Sequence, residues 1–242
     1  MKTSLHFAAS ALLLSSSMLA NAGAIYEYSI NKPWGGSNRA GDITHVSTRY
    51  NSDTNHLSWS HSIAQRNEIT SDAFWLVLND GPNPKGIAGQ LAILYGDLTT
   101  NTLQAFEYNG RNGNNSYKNP ANFLASWNGA MDIRTDLTGL TTVSFDIDAS
   151  EINNADLGDN WEGVGFAEKI GIWFHPSALS SISYDPNTGE MISYSKRGGR
   201  SWFDMSNHDT TVTETVDVPE PGVLTLFGAG IAGLFASRRK RA

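Results

Sequence analysis

Apolar residues between positions 24 and 218 occur only in short runs, and this pattern restricts the fold more than any other feature of the chain. Gly, Asn, Asp, Pro and Ser separate the runs, and no stretch of twelve or more residues follows the helical period. Short apolar runs bounded by turn residues are typical of strands. The pattern therefore predicts an all-β fold, a β-sandwich of jelly-roll or lectin-like type.

Eleven segments are predicted as strands, with no convincing helix between them. They are residues 25–30, 43–50, 57–63, 73–78, 91–95, 102–108, 141–148, 163–174, 180–184, 191–194 and 211–216. Strict alternation over 142–148 places Val143, Phe145 and Ile147 on the core face. The run 74–78 is apolar on both faces and predicts a central strand, and a Pro- and Gly-containing turn predicts a hairpin over 182–194.

The chain contains no cysteine. Disulfides, thiolate metal sites and cysteine nucleophiles are therefore excluded. A domain of this composition must be held together by core packing alone, and a body of about 195 residues can bury enough apolar surface to do so.

The N-terminus has the order of a secretory signal peptide. Lys2 precedes an apolar and small stretch at 5–19, and Ala20-Asn21-Ala22 stands before Gly23. A positive start, an apolar run and an A-x-A site form the pattern that signal peptidase reads. We expect residues 1–22 to be removed by cleavage after Ala22, and a buried N-terminal helix is the alternative.

The C-terminus carries three features in a fixed sequence order: a glutamate between two prolines, an apolar segment and a basic cluster. They are Pro219-Glu220-Pro221, residues 222–237, and Arg238-Arg239-Lys240-Arg241. Sixteen helical residues span roughly 24 Å, slightly less than a hydrocarbon core of about 30 Å, and snorkelling arginines can cover the difference. We expect a single hydrophobic helix at 222–237 that crosses the membrane with the basic cluster in the cytoplasm.

These tail residues resemble the PEP-CTERM sorting signal. The resemblance implies recognition by exosortase, a membrane protease-transpeptidase of Gram-negative bacteria that make extracellular polysaccharide and biofilm. With the N-terminal signal, the tail divides the chain into a signal peptide (1–22), a β-sandwich body (23–217) and a sorting tail (218–242). A membrane anchor that is never cut is the alternative, and the resemblance says nothing about the body.

The net charge of the whole chain is −7, but the body is more acidic. The two ends remove five of the 17 basic residues and one of the 24 acidic residues, which leaves the body near −11. A negatively charged surface repels the phosphate backbones of nucleic acids and the anionic headgroups of membranes. We therefore expect neither nucleic acid nor anionic membrane as a partner of the body.

No catalytic motif is present, and the one cofactor that the residues suggest is Ca²⁺. Candidate oxygen ligands are Asp146, Asp148, Asp156 and Asp159, in the richest acidic stretch of the chain. The spacing fails the EF-hand pattern, so a solvated loop is the alternative. We expect the protein not to be an enzyme.

Four tryptophans lie in loop-like sequence and are candidate platforms for sugar rings, since aromatic faces stack on sugars. They are Trp34, Trp127, Trp161 and Trp202, whereas Trp59, Trp75 and Trp173 are predicted in the core.

We therefore expect a protein that is held transiently at the inner membrane and exported to the cell surface or extracellular matrix, where it binds exopolysaccharide. Two alternatives stay open. One is a matrix-acting glycoside hydrolase or lyase, which would use paired carboxylates. The other is a structural biofilm protein without a ligand.

Overall fold

The computed structural model describes residues 23–33, 40–65, 69–111, 115–116, 118, 122–198 and 201–214 of the 242-residue chain. Residues 24–213 form one compact unit, and of the second unit, which holds both chain ends, only Gly23 and Glu214 are described. The expected signal peptide, the sorting tail, the membrane segment 222–237 and Trp34 lie outside the described residues. Within the described ranges, no helix is long and apolar enough to cross a membrane.

The described residues form fourteen strands and one short helix. In chain order these are β1 (Ala24–Asn31), β2 (Asp42–Asn51), β3 (His56–Ala64), β4 (Ala73–Asn79), β5 (Ala92–Asp97), β6 (Thr102–Glu107), β7 (Phe123–Asn128), β8 (Met131–Thr135), β9 (Leu140–Asp148), α1 (Ser150–Asn153), β10 (Lys169–Ser177), β11 (Ser180–Tyr184), β12 (Met191–Lys196), β13 (Phe203–Asp209) and β14 (Thr211–Glu214).

The strands build two six-stranded sheets and one hairpin. The first sheet has the order β14-β1-β2-β3-β9-β8, the second has the order β13-β10-β4-β5-β6-β7, and β11 pairs with β12. Each of the eleven predicted segments corresponds to an observed strand, so the all-β prediction is confirmed. The sequence missed β7, β8 and β13, and the predicted strand 163–174 begins only at Lys169.

The inner faces of the two sheets enclose the main core. Val143, Phe145 and Ile147 of the first sheet are buried against this core, as their alternation predicts. The rings of Trp59 and Phe174, from opposite sheets, lie 5.1 Å apart between centroids. The two sheets therefore pack as a sandwich, and the finer jelly-roll or lectin-like assignment stays a prediction.

A second core covers the outer face of the second sheet. Trp75, Trp173 and Tyr95 lie on that face and are buried under Met191 and Tyr194 of the β11–β12 hairpin. The predicted hairpin is thus confirmed, and it functions as a third layer. Because β4 lies between the two cores, all seven of its residues are buried.

A neutral histidine lies in the core between the sheets. His61 has no exposed surface, and the indole N–H of Trp59 donates to its Nδ1 at 2.9 Å. Nδ1 is therefore unprotonated, and Nε2 has no hydrogen-bond partner among the described residues. Burial disfavours the charged ring and lowers the pKa of His61 to about 3.

The histidine predicts a pH dependence of folding. The folded pKa is below the unfolded value of about 6.5, so the unfolded chain binds the extra proton as the pH falls below that value. The contribution of His61 to the free energy of unfolding is fully present above about pH 6.5. Protonation of His61 in the unfolded chain should lower that free energy by about 2 to 3 kcal/mol between pH 7 and 4.5. His61→Gln keeps an acceptor for Trp59 and cannot titrate, so urea unfolding should show a smaller loss over that window. An equal loss in both proteins would show that His61 is not the group responsible.

Candidate functional site

Two neighbouring rows of polar side chains cross the outer face of the first sheet. Residues that pair across antiparallel strands share a face, so the register fixes the members of each row. One row comprises Glu27, Arg49, Ser58 and Asp146. The other comprises Ser29, Ser47, Ser60, Ser144 and Asp132.

A groove of about 730 Å³ lies over these two rows, and all nine of their residues line it. The residues between the rows, such as Trp59 and Phe145, point into the core, so backbone forms the floor of the groove. Thr211 of β14 and Ala130 before β8 also line it, at the two edges of the sheet. Strands are spaced about 4.8 Å apart, so the five-residue row extends over roughly 19 Å.

Serine hydroxyls form most of one wall of the groove. Among the residues that the structure describes, none makes a hydrogen bond to the hydroxyl of Ser29, Ser47, Ser60 or Ser144. Each hydroxyl can donate one hydrogen bond and accept two. The wall therefore offers a regular series of hydrogen-bonding groups, one from each of the neighbouring strands β1, β2, β3 and β9.

The opposite wall is charged and internally paired. Arg49 Nε lies 3.3 Å from Glu27 Oε1, and Asp146 accepts a hydrogen bond from Ser58 at 2.5 Å. The Nδ1 atom of His56 lies 2.9 Å from the other oxygen of Asp146. These contacts hold the carboxylate of Asp146 at the edge of the groove.

The pKa of Asp146 reflects opposing effects. Partial burial raises it, but the hydrogen bonds from Ser58 and His56 and the charges of His56 and Arg49 outweigh burial. The net pKa lies below the usual value, so this carboxylate stays ionised at neutral pH. Asp132, at the end of the serine row, pairs with Arg134 of the same strand at 2.6 Å.

The four predicted Ca²⁺ ligands are not gathered into one site. Asp146 faces the groove, whereas Asp148 accepts a hydrogen bond at 2.8 Å from the backbone N–H of Ser150 at the start of α1. Asp156 and Asp159 lie in the exposed loop after α1. Within the described ranges, no group of three or more His, Cys, Asp or Glu residues could hold a metal ion.

The predicted aromatic contacts occupy separate places, and none of those described lines the groove. Trp127 is in β7 rather than in a loop, and it packs half-buried against the main core. Trp161 lies in a loop, where it contacts the same core and its indole N–H donates to the carbonyl oxygen of Ile152 at 2.8 Å. Trp202 precedes β13 and stacks on His175 with 6.4 Å between ring centroids.

The predicted sugar contacts were aromatic side chains, so the serine row was not among the predicted site residues. A usable signal was present in the alternation of Ser58, Ser60 and Ser62 along one predicted strand. Strict alternation places these residues on one face, and small serine side chains on an outward face leave open space above the backbone.

The comparison with known families concerns the tail. Residues 217–240 match the family model of the PEP-CTERM protein-sorting motif. No characterised protein and no solved structure matches the chain. The tail therefore carries this exosortase recognition signal, as its sequence predicted, and the signal indicates export through the membrane to the cell surface.

A pair of substitutions separates core tryptophans from surface tryptophans. Trp75 is fully buried and contacts the rings of Trp173, His175 and Tyr194. Trp75→Ala should therefore lower the free energy of unfolding by about 3 to 5 kcal/mol. Replacement of the half-buried Trp202 by Ala should lower the free energy of unfolding by only about 1 to 2 kcal/mol. Urea unfolding of the two variants measures both losses, and similar values would contradict the assignment of Trp75 to the core.

Proposed function

We propose that the domain binds a linear extracellular polysaccharide in the groove of the first sheet, and that the sorting tail delivers it to the surface where that polymer lies. The observation that carries this proposal is the row of four serine hydroxyls without partners in the described residues. A polyhydroxyl chain that crosses the strands meets a new hydroxyl at each strand spacing. The row therefore matches a repeating ligand better than a compact one.

Hydrogen bonds to such a ligand replace hydrogen bonds to water, so each contributes only about 0.5 to 1.5 kcal/mol. A single sugar unit should bind weakly for that reason. A polymer presents many equivalent units and many binding registers, and several protein copies on one chain add avidity. Retention of a long polymer is therefore the expected behaviour.

The charged wall supports binding without cleavage. A glycosidase acid needs a pKa raised toward the working pH so that it can donate a proton. The pKa of Asp146 is shifted in the opposite direction. We therefore propose a non-enzymatic role, with no cofactor, in the matrix or biofilm outside the cell.

The four tryptophans stay secondary candidates for sugar contacts. Packing of Trp127 and Trp161 against the core favours a structural role for both. Trp202 keeps part of its ring exposed beside His175, and Trp34 lies outside the described residues.

Filling the groove should weaken binding of the polysaccharide. Ser60 lies at the centre of the serine row, and in Ser60→Tyr a ring should occupy the space where the polymer lies. Tyrosine suits strands, so the fold should persist. Pull-down on the producer's own exopolysaccharide should fall at least about tenfold, the loss expected from two or more hydrogen bonds.

The matched control is Ser181→Tyr, which makes the same exchange at an exposed strand position on the β11–β12 hairpin. It should bind as the parent does. Equal binding by the Ser60 variant would reject the groove as the site. Shortening of the polymer during incubation would instead support the hydrolase alternative.

The processing proposal has its own test. Mass spectrometry of the protein from culture supernatant should show an N-terminus at Gly23 and a C-terminus near Pro219. These ends follow from cleavage after Ala22 and from exosortase action at the tail. Recovery of released protein that still carries Arg238 to Arg241 would contradict cleavage at the sorting motif.

A further inference from the structure

A second cavity, of about 480 Å³, lies at one end of the sandwich. The ends of β1, β2 and β4 and the segments 80–91 and 162–167 surround it. Small-molecule sites typically measure about 300 to 1,000 Å³, so a compact ligand fits. None of the residues of the polysaccharide groove lines this cavity.

Partly exposed residues supply the accessible apolar surface of the cavity. They are Tyr26, Pro82 and Ile87. The core residues Leu78 and Leu91 lie behind this surface and have no exposed area of their own. Such a surface favours the apolar part of a ligand.

The segment 162–167 is held in place before any ligand arrives. Backbone hydrogen bonds join Glu162 and Gly163 to the carbonyl oxygen of Gln90, at 2.8 and 3.2 Å. Gly163 has a φ of +69°, and a Cβ there would lie 2.3 Å from the side-chain oxygen of Asn153. Only glycine fits that position, so the loop geometry is fixed by close packing.

Two carboxylates give the cavity a negative rim. Asp80 and Glu162 are exposed, line the cavity, and have no ion pair or side-chain hydrogen bond with any residue that the structure describes. No lysine, arginine or histidine is among the lining residues that the structure describes. Lys169, which approaches Gly81 beside Asp80, is paired with Asp209. The rim therefore attracts cations and repels anions.

We propose that this cavity binds a small organic cation, in which an apolar body carries a primary ammonium group. The apolar body contacts Tyr26, Pro82 and Ile87, and the ammonium group lies at the rim with Asp80 and Glu162. This combination excludes acidic sugars and nucleotides, and it gives the domain a second ligand of a different chemical class from the polysaccharide.

The probe is 2-phenylethylammonium, and its neutral matched control is 2-phenylethanol, which has the same apolar body without the charge. Titration of the full domain, followed by ¹H–¹⁵N NMR, should shift the backbone amides of Gly163, Val164 and Gly165. The cation should bind about two- to tenfold more tightly than the alcohol, as expected for two exposed charge interactions. Added salt should narrow this difference because it screens the rim.

Charge removal tests the rim directly. Glu162→Gln should weaken binding of the cation roughly fivefold and leave the alcohol unchanged. Asp80→Asn is the second variant for the same effect. Glu190→Gln removes one charge from the β11–β12 turn, at a residue that does not line the cavity, and should leave both affinities unchanged.

Three outcomes would overturn the proposal. They are equal affinity for the cation and the alcohol, absence of shifts at 163–165, and equal effects of the Glu162 and Glu190 variants. The Ser60→Tyr variant should bind the cation as the parent does, because Ser60 does not line this cavity. The test of cation binding is therefore independent of the test of polysaccharide binding.

Discussion

The burial of β4 on both faces is the constraint on which the rest of this domain depends. Its seven residues are buried, with Phe74, Leu76 and Leu78 in the core between the sheets and Ala73, Trp75 and Val77 in the core under the hairpin. A chain without cysteine has no covalent cross-link to add stability, so apolar burial must supply it. A strand that serves two cores connects all three layers through one backbone.

The layering also decides which surface is available to a ligand. The β11–β12 hairpin covers aromatic residues on the outer face of the second sheet, and Tyr184 there donates to Asp97 at 2.8 Å. The outer face of the first sheet carries no such layer in the part of the chain that the structure describes. Its outward positions can therefore be small and polar without loss of core, and the serine row lies there.

The sequence predicted the interior of each sheet better than its edges. The three missed strands, β7, β8 and β13, are all edge strands. An edge strand packs against one neighbour and keeps much of its surface in water, so β8 (Met-Asp-Ile-Arg-Thr) shows little of the apolar pattern on which strand prediction rests.

The tryptophans in the core were predicted correctly, and the tail motif was confirmed, because burial and sorting signals are local. The groove was not predictable in the same way, because its rows combine residues from strands distant in sequence, such as Ser29, Ser60 and Ser144, and only the register aligns them.

The choice of serine for that row has a physical consequence. Threonine forms strands more readily than serine, and it occupies the outward position at residue 142 on the same face of β9. Four serines in one row therefore give up some strand propensity in the middle of a sheet. A methyl group at each position would narrow the space above the backbone and restrict the rotation of the hydroxyls. Serine keeps the groove deep and its hydroxyls free to rotate, which is what hydrogen bonding to successive units of a polymer in many registers requires.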